Sequence, residues 1–121
     1  KDVHYTTPMM QLQDPARTKV LLVTLAETTP VLEAENLQAD LCRAGIEPWA
    51  WIVNNVVAAA GPRSPLLRRR ATHELTEIAG IAARHATRYA VVPLLEVEPV
   101  GIERLRALCV HRVAADAPTP A

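Results

Sequence analysis

Glycine and lysine are scarce in this sequence, and their scarcity excludes the common phosphate-binding motifs. The four glycines do not cluster, and neither of the two lysines, Lys1 and Lys19, follows a glycine-rich loop. A phosphate cradle of the G-x-x-x-x-G-K-[ST] or G-x-G-x-x-G type needs such a loop. No Asp ends an apolar run as a Walker B group would, and no G-x-S-x-G or H-E-x-x-H motif is present. We therefore expect no ATP hydrolysis and no catalytic residue in this chain alone.

Aromatic residues, cysteines and long apolar runs are also few. There is no Phe, and there are two Trp and two Tyr, so Leu, Val, Ile and Ala must fill the core. Cys42 and Cys109 are isolated in the sequence, which favours small, partly buried thiols over metal or redox ligands. The absence of a signal peptide and of an apolar run of about 18 residues is typical of a soluble, cytoplasmic protein.

Neither sign of charge is in excess. Thirteen basic residues balance thirteen acidic ones, so net charge gives no support for a nucleic-acid partner or for an acidic membrane surface. The 121 residues, half of them apolar, suffice for at most one domain with a modest core. We interpret the run Arg68–Arg70 as a solvated helix face, with contact to a phosphate or an acidic partner as the alternative.

The sequence does contain three apolar runs of strand length. They are Val20–Leu25, Trp49–Asn54 and Tyr89–Leu94, and the first should be buried on both faces. Helical segments connect them, so the strands should pair in parallel with right-handed crossovers. The predicted fold is α/β, with the element order α-β-α-β-α-β-α. It is a partial doubly wound, mainly parallel sheet of at least three strands with flanking helices.

Three hydroxyl–proline pairs mark helix starts, at Thr7-Pro8, Thr29-Pro30 and Ser64-Pro65. In each pair the hydroxyl can cap the helix and Pro suits its first position. Gly45 supplies the left-handed end of the second helix, and residues 114–121 should form a disordered tail. Helical spacing predicts the apolar stripe of each helix: Val31, Ala34, Leu37, Leu41 and Ala44; Leu67, Ala71, Leu75, Ile78 and Ala82; Ile102, Leu105 and Leu108.

Polar residues follow two of the predicted strands, at the sheet edge where parallel α/β proteins bind ligands. They are Glu27 after the first strand and Asn54, with its neighbour Asn55, at the end of the second. A simpler interpretation makes Asn54 a turn former and Glu27 a solvated residue that the helix dipole favours.

The third helix carries two polar pairs at a spacing of four residues. Arg70 and Glu74 can pair across one helical turn, which is worth a few tenths of a kcal/mol. His73 and Glu77 have the same spacing but no third ligand, so we predict no metal site.

Two segments, Thr6–Leu25 and Glu27–Ala34, resemble the arsenical pump-driving ATPase family, ArsA, most specifically in the strings TTPMM-x-LQDP and ETTPVLEA. The likeness covers about positions 4–108. It continues through Asn36–Leu41, Arg43–Ile46, Ile52–Asn55, Arg63–Leu67, Val91–Leu94 and Glu98–Ile102. By this resemblance, residues 1–113 are the carboxyl-terminal part of an ATPase domain. The P-loop, the switch regions and the metal-binding insert would precede Lys1.

The resemblance implies an ATPase of the deviant P-loop class that drives arsenite or antimonite efflux with a membrane-embedded subunit. The longer protein would bind ATP or ADP with Mg²⁺, whereas this chain alone should bind neither tightly. A second ATPase half or a homodimer is the other implied partner, and nucleic acid is not implied. The implied location is cytoplasmic, at the inner face of the membrane through the efflux subunit.

The resemblance also assigns site residues. Asn54 would contact adenine, with Asn55 as the neighbouring alternative, because an Asn amide can both donate to and accept from the N6/N7 edge of adenine. Pro93 and Leu94 would wall the base, and Glu27 would lie near the nucleotide between two ATPase halves. The C-x-x-C zinc clasp of the tail-anchored-protein branch is absent after Asn55. Two alternatives remain: a non-catalytic interaction or dimerisation module, and a tail-anchored-protein targeting ATPase relative.

Overall fold

The computed structural model describes residues 4–110, in which helices and strands follow the predicted order. The helices are α1 (Pro8–Gln13), α2 (Thr28–Arg43), α3 (Pro65–Arg84) and α4 (Ile102–Val110). The strands are β1 (Leu21–Leu25), β2 (Ala50–Val56) and β3 (Tyr89–Pro93), and a short 3₁₀ helix, Ala58–Ala60, follows β2. The tail predicted at residues 114–121 lies outside the described residues.

The three strands form one parallel sheet in the order β1-β2-β3, which confirms the predicted α/β fold. Strands β1 and β2 pair without interruption from Leu21 opposite Ala50 to Leu25 opposite Asn54. Strand β2 extends to Val56, two residues beyond the predicted end. Proline lies at the end of β3, where its missing N–H does not interrupt a central ladder.

Two of the three predicted helix caps are confirmed, and the third is wrong. The hydroxyls of Thr7 and Ser64 accept hydrogen bonds from the N–H groups of Met10 and Leu67, each at 3.2 Å. Helix α2 instead begins at Thr28, with Glu27 as a cap residue that makes no side-chain capping bond. The extended backbone of Glu27 places its carbonyl to accept from Val31 N at 3.0 Å, so Thr29 lies inside the helix.

Gly45 ends α2 as predicted, in the left-handed conformation with φ +76°. Its N–H donates to the carbonyl of Cys42, and the N–H of Ile46 donates to the carbonyl of Leu41. This pair of bonds is the Schellman arrangement, which satisfies carbonyls that the helix end would leave without partners. The chain can therefore turn back at once towards β2.

Helices α2 and α3 pack against the same face of the sheet, where they form the core. Leu22, Trp51 and Val53 supply the strand side of that core, and Val31 and Ile81 are among the helix residues packed on it. The indole N–H of Trp51 donates to Gln38 Oε1 at 2.6 Å, so the large buried ring has no unsatisfied polar group. Right-handed crossovers that both step in the same direction place both helices on this face.

The opposite face of the sheet is open within the described residues. Leu21 and Val23 of β1 are 45% and 63% exposed, whereas Leu22 and Thr24 between them are buried. The prediction that this strand is buried on both faces is therefore wrong for residues 4–110. The cause is that α2 and α3 both lie on the other side of the sheet, and no further described element covers this one.

The helix stripes agree with prediction only where a helix packs on the sheet. In α2, Val31 and Ala34 are buried, but Leu37 and Ala44 are exposed. In α3 the burial predicted for Ala71 and Ile78 is confirmed, and Glu74 and Ile81 are buried beside them. The burial predicted for Leu67, Leu75 and Ala82 is wrong, because these residues face away from the sheet.

Helix α4 and the cysteines differ more from expectation. Ile102 and Leu105 are exposed and Leu108 is half-buried, so the predicted inward face of α4 is wrong for the described residues. The interpretation of Cys42 and Cys109 as partly buried thiols is also wrong, since both are exposed on outer helix surfaces.

Candidate functional site

The carboxyl ends of the three strands meet at one edge of the sheet and bring the predicted site residues together along the backbone. Asn54 lies opposite Leu25, and Leu25 precedes Glu27 by two residues. Pro93 lies opposite Val56, and the N–H of Leu94 donates to the carbonyl of Val56 at 3.0 Å. The end of β2 is therefore held between the ends of β1 and β3.

A β-bulge at the end of β2 sets the direction of its two asparagines. The regular register with β3 is lost between Val53 and Val56, and Asn55 has the left-handed φ of +53°. Asn tolerates this conformation better than most residues, so the Asn-Asn pair suits the bulge. Asn54 is partly buried, and Asn55 is exposed. A bulge of this kind re-aims side chains at the end of a strand.

Asn54 and Pro93 line different cavities despite their shared edge. Asn54 lies in a cavity of about 340 Å³ formed by β1 and the first half of α2. Pro93 lies in a cavity of about 430 Å³ formed by the loop after β3 and by α4, where Arg104 is the basic side chain. Leu94 lines neither cavity. The structure thus brings these residues together through backbone pairing and not into one enclosed pocket.

Glu27 is engaged with α3. Its Oε1 lies 3.6 Å from Arg70 Nη2, and both side chains are about half-exposed. Nε of the same arginine donates to Glu74 Oε1 at 3.2 Å. The predicted Arg70–Glu74 pair is therefore present. Arg70 also pairs with Glu27, so the two ion pairs connect the segment after β1 to α3.

Glu74 is a residue whose importance the sequence did not indicate. It is 2% exposed, and its Oε2 accepts a hydrogen bond from Ala58 N at 2.9 Å. A signal did exist, because position 74 continues the spacing of the buried positions Ala71, Ile78 and Ile81. The charge of a glutamate on an Arg-rich helix predicts a solvent-exposed position, whereas its spacing predicts a buried one.

A second polar group lies between α2 and α3. Thr28 Oγ1 donates to Glu77 Oε1 at 2.9 Å, and His73 Nε2 lies 3.4 Å from the same hydroxyl. Within residues 4–110, no group of three His, Cys, Asp or Glu side chains could hold a metal ion. These contacts therefore join the two helices. Arg68 and Arg69 extend from α3 into solvent, as predicted for the Arg run.

The sheet edge therefore carries the partly buried amide of Asn54 and the apolar residues Pro93 and Leu94. Ion pairs of Arg70 connect α3 to Glu27 at the same edge. An amide beside apolar groups can recognise the polar edge of a planar base, because it donates and accepts at the same time. Within residues 4–110, the four glycines are spread along the chain and Lys19 follows none of them, so no phosphate cradle forms at this edge. Each helix of residues 4–110 is too short or too polar to traverse a lipid bilayer.

Comparison with known proteins gives one consistent result. The sequence profile of the anion-transporting ATPases, ArsA_ATPase, matches residues 4–111. The chain is 67% identical over 105 residues to the arsenical pump-driving ATPase of Acidiphilium multivorum, which is 87% of this chain and 18% of that protein. Two arsenical pump-driving ATPases of Escherichia coli are 65% and 62% identical. They match 87% and 88% of this chain, which again spans 18% of their length.

Proposed function

The chain belongs to the anion-transporting ATPase family, and from that premise we propose that it forms the adenine side of the ATP site in an arsenical pump-driving ATPase. The observation that carries the proposal is the 67% identity over 105 residues to a protein of that name. The family match over residues 4–111 includes the strands, helices and loops that bring Asn54, Pro93 and Leu94 to the sheet edge.

In the proposed site, Asn54 reads the base. Its side-chain amide donates to N7 and accepts from the N6 amino group of adenine. Guanine has the acceptor O6 in place of that amino group, so it cannot make the second bond. Pro93 and Leu94 supply the apolar wall, which is supported by their backbone connection to the end of β2. Glu27, which follows β1 and pairs with Arg70, lies near the nucleotide between this ATPase half and the second half or subunit.

The triphosphate and Mg²⁺ bind to other parts of the longer ATPase in this proposal. The donor set at the edge, one amide flanked by apolar residues, fits a base better than a phosphate group. Hydrolysis by the whole protein would supply the free energy for arsenite or antimonite efflux through a membrane subunit. The ATPase would work in the cytoplasm, at the inner face of the membrane. This chain alone is expected to bind ADP weakly.

The test uses the full-length A. multivorum ATPase in which the 105 matched residues of this chain replace its own. Asn54→Ala should weaken ATP binding about tenfold, the loss of one bidentate base contact, and leave the affinity for inorganic tripolyphosphate unchanged. GTP affinity should change less than ATP affinity. Competition binding with the three ligands measures each effect.

Two variants serve as controls for Asn54. Asn36→Ala removes an exposed amide from α2 and should leave all three affinities unchanged. Asn55→Gly keeps the left-handed backbone while it removes the neighbouring amide, so it separates the two asparagines. If Asn54→Ala left ATP affinity unchanged, Asn54 would have no adenine role. If the unaltered chain alone bound ADP as tightly as the full-length protein, the proposed division of the site would be wrong.

The open face of the sheet favours one other function, an interaction or dimerisation module. Leu21 and Val23 would lie in the contact, since both are exposed apolar residues on one sheet face. Light scattering separates the two functions. A stable dimer of the chain alone supports the interaction module, and a monomer leaves the ATPase-domain function as the one supported by the site.

A further inference from the structure

Glu74 is the only charged side chain that is buried within residues 4–110. It lies in the buried stripe of α3, between Ala71 and Ile78, where an apolar side chain would fill the same space. Burial of a carboxylate is unfavourable unless hydrogen bonds compensate for the lost water. The presence of a glutamate here therefore indicates a task that an apolar residue could not perform.

The two carboxylate oxygens of Glu74 have different partners. Oε2 accepts from the backbone N–H of Ala58 at 2.9 Å, and Oε1 accepts from Arg70 Nε at 3.2 Å. Ala58 is the first residue of the 3₁₀ helix that follows β2. The carboxylate thus fixes the turn directly after the strand that carries Asn54.

That turn is connected to the rest of the proposed adenine wall. Val56 and Val57, which separate Ala58 from the asparagines, are 1% and 2% exposed. The carbonyl of Val56 accepts from Leu94 N, so the end of β3 is held by the same segment. Movement of Ala58 would therefore displace both the bulge at Asn55 and the loop that begins at Leu94.

We propose that Glu74 is a positioning residue that sets the adenine preference of the site by fixing Ala58 and, through Val56, the ends of β2 and β3. The inference rests on the proposed function, because it needs Asn54 to contact the base. Arg70 extends the same connection to Glu27 at the end of β1. The buried carboxylate therefore holds the ends of β2 and β3 through hydrogen bonds and reaches the loop after β1 through the half-exposed Arg70–Glu27 pair.

The test compares Glu74→Leu and Glu74→Gln in the chimeric full-length ATPase described above. The leucine fills the stripe but cannot accept from Ala58 N, so the ratio of ATP to GTP affinity should fall by about fivefold, with tripolyphosphate affinity unchanged. The glutamine keeps an acceptor oxygen for Ala58 and should retain the ratio within about twofold. Ile78→Ala destabilises α3 but keeps the carboxylate that accepts from Ala58 N, so it should leave the ratio unchanged.

Amide hydrogen exchange gives a second readout that a general loss of stability would not produce. Glu74→Leu should speed exchange at Ala58 and Leu94 more than at His85, whose N–H donates to Ile81 at the other end of α3. An equal increase at all three amides would overturn the inference. If Glu74→Leu does not fold, Glu74→Gln decides, since a loss of the ATP preference in that variant also overturns it.

Asn54→Ala, measured beside these variants, separates the two proposals. If Asn54→Ala lowers the ATP to GTP ratio and Glu74→Leu does not, the positioning role is wrong and the adenine role stands. If neither variant changes the ratio, the adenine role is wrong and the inference fails with it. If both lower the ratio and Ile78→Ala does not, both proposals are supported.

Discussion

The two faces of the sheet have similar strand residues and opposite surroundings. On one face, Trp51 and Val53 lie under α2 and α3 and are almost completely shielded from solvent. On the other, Leu21 and Val23 remain in contact with solvent within residues 4–110. The composition of a strand does not show which of its faces is covered. The crossovers decide that, because both place their helices on the same side.

This difference shows which face of the sheet is stabilised by elements of this chain. The covered face has its helices, its indole hydrogen bond to Gln38 and its core within residues 4–110. The open face has apolar residues without a cover among the described elements, in a chain that spans 18% of the length of its relatives. We therefore expect substitutions on the two faces to have different effects in the chain and in the full-length ATPase.

The largest effect should come from the covered face. Ile81→Ala removes a fully shielded side chain from beneath α3, and we expect a loss of about 2–5 kcal/mol of unfolding free energy. Val23→Ala, its match on the open face, should cost less than about 0.5 kcal/mol in this chain. Urea unfolding followed by circular dichroism measures both. Equal losses would show that the open face is covered in solution, and the contrast between the faces would be lost.

A substitution on the open face should have different effects in this chain and in the chimeric full-length ATPase. Val23→Ser should change the stability of this chain by less than about 0.5 kcal/mol. In the chimeric full-length ATPase it should cost about 1.5–3 kcal/mol, the value of a fully buried Val side chain, because we expect other parts of the protein to cover this face. The measurement is thermal unfolding of both proteins with and without the substitution. The same small change in both settings would mean that the face stays open.

A smaller loss than that of Ile81→Ala should come from the start of α3. Ser64→Ala removes the hydroxyl that accepts from Leu67 N at 3.2 Å, and should cost about 1 kcal/mol. Ser64→Gly should cost only a few tenths of a kcal/mol, since glycine also suits this position. Urea unfolding of both variants checks the order. A loss above that of Ile81→Ala would mean that the cap, and not the core, holds α3 on the sheet.

Much of the fold could be predicted because its signals are local. Apolar runs of strand length, hydroxyl–proline pairs and the left-handed Gly45 each depend on a few adjacent residues. The predicted cap at Thr29 was wrong because the backbone at Glu27 is extended, and its carbonyl starts the helix. No single residue near Thr29 indicates that the hydroxyl of Thr28 bonds to Glu77 on α3.

The candidate site was harder to predict because it depends on long-range contacts. Asn54, Pro93 and Leu94 were assigned through family resemblance, and the register shows only that they share an edge. Glu74 was missed because its burial depends on Ala58, which is 16 positions away in sequence. Helical spacing includes position 74 in the stripe of α3, but the charge of its side chain predicts exposure, and only the hydrogen bond from Ala58 N explains the burial.

The two tryptophans, Trp49 just before β2 and Trp51 within it, give the chain two optical reporters with different surroundings. Trp51 is shielded beneath the helices and stacks on His85 at 5.7 Å, so its emission should lie at shorter wavelength than that of Trp49 and move to longer wavelength on unfolding. Trp49 is 41% exposed, and Lys19 and Arg88 lie over its ring at 5.8 and 5.1 Å. Those cations concentrate iodide near Trp49, so an anionic quencher separates the signal of the sheet surface from that of its core.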